Sequence, residues 1–193
     1  SPQGRAAPQL LREGILANSP IFGNTNEFAI LSQEERLTLR QGTNQDKILE
    51  PESSDLPIQQ AHCFGLGGLM TPQNPSLIAY QTEPKAWQIF SRTRTSSSKL
   101  SLQPPAGDQV FGVVTASNAL GEPQLLAIGQ DRKSLWLHGA SKSERLLQAA
   151  QPIREACASS ISDRIAYQTE NGSITVQSVW NRSLALQISR EPD

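Results

Sequence analysis

Ile78-Ala79-Tyr80-Gln81-Thr82-Glu83 recurs letter for letter as Ile165-Ala166-Tyr167-Gln168-Thr169-Glu170. Two divergent relatives, Phe28-Ala29-Ile30-Leu31-Ser32-Gln33 and Leu126-Ala127-Ile128-Gly129-Gln130-Asp131, keep the alanine in second place. The four copies start at residues 28, 78, 126 and 165, and nine residues after each start a second apolar segment begins: Leu37-Thr38-Leu39, Trp87-Gln88-Ile89, Leu135-Trp136-Leu137 and Ile174-Thr175-Val176. Between the two segments lies a short polar stretch, which in the last copy contains Asn171-Gly172, a pair that accepts the positive φ angles of a tight hairpin turn. A further apolar segment follows in each copy, at Ile48-Leu49, Leu100-Ser101-Leu102, Leu146-Leu147 and Leu184-Ala185-Leu186. Another precedes each copy: Gly14-Ile15-Leu16-Ala17, Ile58 to Cys63, Val110 to Val114 and Ile153 to Cys157.

Four short strands per unit, repeated about every 40 to 50 residues, are the mark of stacked supersecondary units. A meander of four antiparallel strands repeated radially is a propeller blade. The expected fold is therefore all-β, a β-propeller with four four-stranded antiparallel blades in this chain. The blades span residues 14–50, 57–103, 109–150 and 152–189, behind an extended N-terminal arm of residues 1–13. An all-β sandwich also spaces its strands evenly. A sandwich has no reason to repeat both a hexamer and its distance to the next strand. The one helical candidate, residues 143–150, is short and aligns with the fourth strand of its unit.

The chain has 193 residues, with 17 basic against 18 acidic side chains and a formal charge of −1. No bulk field draws it to nucleic acid or to an anionic membrane. No apolar run reaches the roughly 18–20 residues that span a bilayer, and no basic segment followed by an apolar core opens the chain. The expected setting is the cytoplasm. A first residue of Ser and not Met leaves room for a processed or partial chain. Cys63 and Cys157 each fall in the strand before a hexamer, where small buried hydrophobes are expected, and neither they nor His62 and His138 have the spacing of a zinc site.

Catalytic motifs are missing: no Gly-x-Ser-x-Gly elbow, no phosphate-cradling Gly-rich loop, no His-Glu-x-x-His, no Asp-rich calcium loop. Neither histidine has a supporting context in the sequence for a triad. No catalytic, cofactor or metal residue is assigned, and no enzyme activity is expected. The candidate partner-binding residues are Leu66, Leu69 and Met70 in the Gly- and Pro-rich loop of residues 65–76, Arg92 and Arg94 in the basic, hydroxyl-rich stretch of residues 91–99, and Trp180 just after a third strand.

The run from Ile165 to Val179, Ile-Ala-Tyr-Gln-Thr-Glu-Asn-Gly-Ser-Ile-Thr-Val-Gln-Ser-Val, resembles the second hairpin strand pair of a degenerate WD-type blade, and the resemblance extends over roughly residues 14–189. Trp-Asp is absent from the ends of the third strands and Gly-His from before the first, so no functional residue is carried over. The pattern is also similar to the β-propeller components that bacteria encode beside MoxR-type ATPases and von Willebrand A-domain proteins. Such a fold implies a noncatalytic protein–protein interaction module or scaffold subunit, binding through its rims and blade edges. The alternative is a glycan-binding or glycan-hydrolysing propeller, disfavoured by inner strands rich in Gly, Ala and aliphatic residues. Three modes of closure are open: a ring of four, a ring of two copies, or a ring completed by other protein subunits. An uncovered strand edge or sheet face favours the two that need a partner.

Overall fold

In a computed structural model of the chain, the description covers residues 21–23, 27–31, 37–41, 60–64, 76–83, 86–92, 97–115, 121–159, 162–181, 183 and 185–188. Side chains are described only from residue 60 onward, with those of Cys63, Ser76, Thr82, Glu83, Arg92 and Ser97 excepted. Among the described residues, fifteen strands form four antiparallel sheets. The first sheet holds β1 (Ile21–Gly23), β2 (Glu27–Leu31) and β3 (Leu37–Gln41). The second holds β4 (Gln60–Phe64), β5 (Ser76–Glu83), β6 (Ala86–Arg92) and β7 (Ser97–Leu102). The third holds β8 (Gln109–Thr115), β9 (Pro123–Ile128), β10 (Ser134–His138) and β11 (Ser143–Gln148). In the fourth are β12 (Ile153–Ala158), β13 (Arg164–Thr169), β14 (Ile174–Ser178) and β15 (Ala185–Ile188). Each sheet is a plain meander, with neighbours in space following chain order.

In the first unit the strand paired with β2 is Ile21–Gly23. The sequence placed it at residues 14–17, which lie outside the described residues, as do the N-terminal arm and the segment Ile48-Leu49. Residues 143–150, the helical candidate, begin with strand β11.

Successive sheets meet through their first strands: β1 touches β4, β4 touches β8, and β8 touches β12. These strands converge, and at one position the approach leaves no room for a side chain. At Gly112 in β8 a Cβ atom would stand 2.5 Å from the Cβ of Ala158 in β12. Phe64, Leu77, Ala79, Trp87, Ile89 and Leu102 of the second sheet form one apolar core with Val110, Val113, Leu125, Leu126, Leu135 and Leu137 of the third, and Ile153 and Ile165 of the fourth join it.

Register separates the units more finely than the aligned hexamers do. Ala29 pairs with Leu39, Ala79 with Ile89 and Ala166 with Val176, each ten residues apart, whereas Ala127 pairs with Trp136, nine apart. The third hairpin turns through Arg132 in the left-handed region (φ 55°), with Asp131 Oδ1 accepting from the main-chain N–H of Lys133 (2.9 Å) and Ser134 (2.8 Å). These hydrogen bonds hold the Asp131 carboxyl below the usual carboxylate range, the one from the Ser134 side chain foremost. The fourth hairpin uses Asn171-Gly172 differently from the two positive φ angles expected. Gly172 alone is left-handed (φ 85°), and Asn171 Oδ1 accepts from Thr169 Oγ1 (2.7 Å) and Ser173 N (3.1 Å).

Candidate functional site

Across an antiparallel sheet, residues in direct register point to the same face. In the second sheet one such row runs His62, Ala79, Ile89, Leu100 and the next runs Gln60, Gln81, Trp87, Leu102. The third sheet covers this face: Ala79 and Ile89 are fully buried, and Trp87 keeps only 3% of its surface.

The fourth sheet builds the same two rows in the same register. Cys157, Ala166, Val176 and Leu186 form one, and Glu155, Gln168, Ile174 and Ile188 the other. No sheet covers them among the described residues. Ile174 is 39% exposed, Ile188 54% and Leu186 62%, the large hydrophobics left at the surface of the described residues. A shallow groove of about 270 Å3 runs between Glu155, Cys157, Ala166, Gln168 and Ile174. The opposite face of β13 is covered, because Ile165 is buried and Tyr167 packs against the core. Cys157, expected to be a small buried residue, is an exposed free thiol because it lies on the uncovered face.

A second constellation joins strand ends of the third unit. His138, at the end of β10, lies 2.9 Å through Nε2 from Asp108 Oδ2 and 2.8 Å through Nδ1 from Ser143 Oγ. The sequence suggested no context for His138; thirty residues separate it from Asp108, and only the closing of β8 onto β9 and β10 brings them together. A carboxylate can only accept, so Nε2–H donates to Asp108, and in the neutral ring Nδ1 accepts from the Ser143 hydroxyl. An Asp–His–Ser line invites comparison with a nucleophilic triad, which also needs N–H donors free to stabilise an oxyanion. The adjoining main-chain donors are committed: Gln130 N to Asp108 Oδ1 (3.1 Å) and Gly139 N to Lys142 O (2.9 Å). With His138 3% exposed, the arrangement works as a buried strut that ties the entry of β8 to the exit of β10. The groove of about 360 Å3 beside it is lined by Pro105, Gln130, Asp131 and Trp136 as well as by the strut.

Among the residues singled out from sequence, Trp180 is half buried against the core, just beyond β14. Arg92 ends β6, opposite Ser97. Leu66, Leu69, Met70 and Arg94 lie outside the described residues. The fourth-sheet rows were not among the residues singled out from sequence. The signal for them was present in the repeat, where Ala166 and Gln168 align with Ala79 and Gln81. Among the described residues no group of His, Cys, Asp and Glu could hold a metal ion, and no helix is long and apolar enough to cross a membrane.

Radially convergent four-stranded meanders place the chain among β-propellers. Comparison with solved structures agrees: the WD40 domain of SCAP from fission yeast superposes with a TM-score of 0.50 at 12% identity, over 94% of this chain and 43% of that one. Hsv2 of Kluyvelomyces marxianus gives a TM-score of 0.45 at 14% identity, over 88% of this chain and 48% of that one. The fold is WD40-like, and this chain spans less than half the length of either structure. No family model and no curated protein matches the sequence. The comparisons lend no support to the likeness with MoxR-associated propeller components.

Proposed function

We propose that the protein is a noncatalytic protein–protein interaction module whose arc of WD40-like blades docks another polypeptide through the open face of its last sheet, with the rims as secondary contacts. The observation that carries this reading is the aliphatic cluster of Val176, Ile174, Leu186 and Ile188 on the open face, which holds the register positions of Ile89, Trp87, Leu100 and Leu102 in the second sheet, where Trp87, Ile89 and Leu102 are buried. A contiguous apolar face of this kind left in water is unfavourable, and covering it gains about 25 cal/mol for each Å2 of apolar surface removed. The proposed setting is the cytoplasm, where an exposed thiol such as Cys157 stays reduced.

A photo-crosslinking residue placed at Leu186, with an equivalent probe at exposed Glu122 in the third unit as control, tests the reading in living cells. A defined polypeptide adduct at Leu186 and none at Glu122 is the expected outcome. Equal adduct formation at the two positions would show that the open face is not a binding surface.

A further inference from the structure

We infer that Asn171, at the tip of the last hairpin, is a modification site at which the chain deamidates by closing a succinimide with the Gly172 nitrogen, and that the hairpin turn gates this reaction. Eight asparagines occur in the chain, and Asn171 is the one followed by glycine. The nucleophile in such a cyclisation is the main-chain nitrogen of the next residue, and a side chain there crowds its approach to the asparagine amide. Here the approach is open: Asn171 is exposed, and even a Cβ added to Gly172 would meet nothing within 4 Å. Water therefore reaches both reacting groups, and it is the only other reagent the step needs. The Gly172 nitrogen gives its proton to solvent and bonds to Asn171 Cγ, while the bond from Cγ to Nδ2 breaks and Nδ2 leaves as ammonia with a proton returned from solvent. One water then opens the ring at either carbonyl, leaving aspartate, or isoaspartate in which the main chain runs through Cγ.

The folded turn opposes the first bond. Cyclisation needs the Gly172 nitrogen brought to about 3–3.5 Å over the amide carbon. In the turn its N–H is donated instead to Thr169 O at 2.9 Å. Asn171 Oδ1 is held by two further donors, Thr169 Oγ1 at 2.7 Å and Ser173 N at 3.1 Å. Two donors on a carbonyl oxygen also draw electron density from its carbon, which favours attack. At an exposed tip that gain is small, because water supplies equivalent donors once the turn opens. The restraint is larger, since the nitrogen and the amide must both be released before the ring closes. Each of the three bonds is worth about fivefold in an opening equilibrium, so together they slow the reaction by about a hundredfold. The product bears on the fourth sheet because this turn sets Gln168 opposite Ile174 of the open face. Isoaspartate lengthens the main chain inside the turn by a methylene, and either product places a new carboxylate beside Glu170.

The purified full chain, incubated in mildly alkaline buffer and followed by peptide mass mapping, tests this. Unfolded in guanidinium chloride, it should convert at Asn171 ahead of every other asparagine, with isoaspartate, labelled by an isoaspartyl methyltransferase, as part of the product. The folded chain should convert at Asn171 about a hundredfold more slowly. Thr169→Val deletes the hydroxyl on Asn171 Oδ1 and keeps the side-chain shape, so the folded variant should convert about fivefold faster than the folded wild type. Amide hydrogen exchange at Gly172 should rise by the same factor in that variant, because both processes need the same local opening. Aspartate without isoaspartate would mean direct hydrolysis and would overturn the succinimide. Earlier conversion of another asparagine in the unfolded chain would overturn the site. Equal rates in the folded and unfolded wild type, or an unchanged or slower reaction in folded Thr169→Val, would overturn the gating. The wild-type comparison involves no variant and decides the matter if Thr169→Val fails to fold.

Discussion

Replacing Gly112 by alanine tests whether the third and fourth sheets converge as tightly as the fold requires. The added Cβ would stand 2.5 Å from the Cβ of Ala158 and 3.4 Å from Leu126 Cδ1, with the Ala158 Cα at 3.8 Å. Carbon atoms in contact sit about 3.5–4.0 Å apart, so β8 and β12 would have to separate by roughly 1 Å. Ala158 Cβ is fixed to its main chain and cannot rotate away. Overpacking of this kind costs about 1–3 kcal/mol, which for a domain of this size lowers the melting temperature by roughly 2–12 °C. Urea unfolding followed by tryptophan fluorescence measures the loss. Ala158→Gly on its own should cost only about 0.5–1 kcal/mol, the usual penalty for glycine in a strand. In the double variant the clash disappears, so its loss should be smaller than the sum of the two by about 1–2 kcal/mol. If Gly112→Ala is neutral, or if the two losses simply add, the sheets do not meet at this point and the convergent packing is wrong.

Three further outcomes follow from the same structure. Asp108→Ala strips the partner from buried His138 Nε2 and from Gln130 N and should destabilise the third unit by about 2–3 kcal/mol, while Asp108→Asn, which keeps one of the two acceptor oxygens, recovers only part of it in thermal melts. Burial lowers the pKa of His62 from 6.5 to about 4, against a main-chain hydrogen bond with Val110 that raises it. The unfolded chain therefore takes up this proton first. The His62 contribution to stability is complete above pH 6.5 and is lost as pH falls, by roughly 3 kcal/mol on reaching pH 4. His62→Gln should remove that component from the difference between urea curves at pH 7 and pH 4. Arg132 donates through one guanidinium nitrogen to Ile153 O (3.0 Å) and Arg154 O (3.2 Å), tying the third hairpin to β12 from a left-handed backbone. Arg132→Ala loses both bonds and keeps the strained backbone, so it should be less stable than Arg132→Gly by about 1 kcal/mol in chemical denaturation.

The repeated hexamer placed the strands closely. Its copies fall on β2, β5, β9 and β13, and the segment nine residues on falls on β3, β6, β10 and β14. Hairpin strands are local objects, held by a turn of a few residues and an alternation of side chains, and both are written in the chain. Facing is a subtler matter. Ala127 aligns with Ala79 and Ala166 in sequence yet lies opposite Trp136, because the Arg132 turn changes the hairpin register by one residue. A shift of one moves every side chain to the other face, and no alignment of letters records it. Trp87, read from the sequence only as part of a second apolar segment, is buried between sheets at 3% exposure.

By itself the sequence marked the recurrence of a strand unit and where its central strands fall, since periodicity and turn residues act over a few neighbouring positions. What each strand face touches was decided by tertiary structure. Cys157 and His62 hold the same register position in their sheets, but one is an open thiol and the other a base held neutral by burial, only because a third sheet follows the second and none covers the fourth among the described residues. Asp108 and His138 are likewise ordinary letters thirty residues apart until the meander folds them to within 2.9 Å. Burial and long-range hydrogen bonding depend on atoms distant in the chain, so the open face, where this protein meets its partner in the reading proposed above, emerged only once the sheets were stacked.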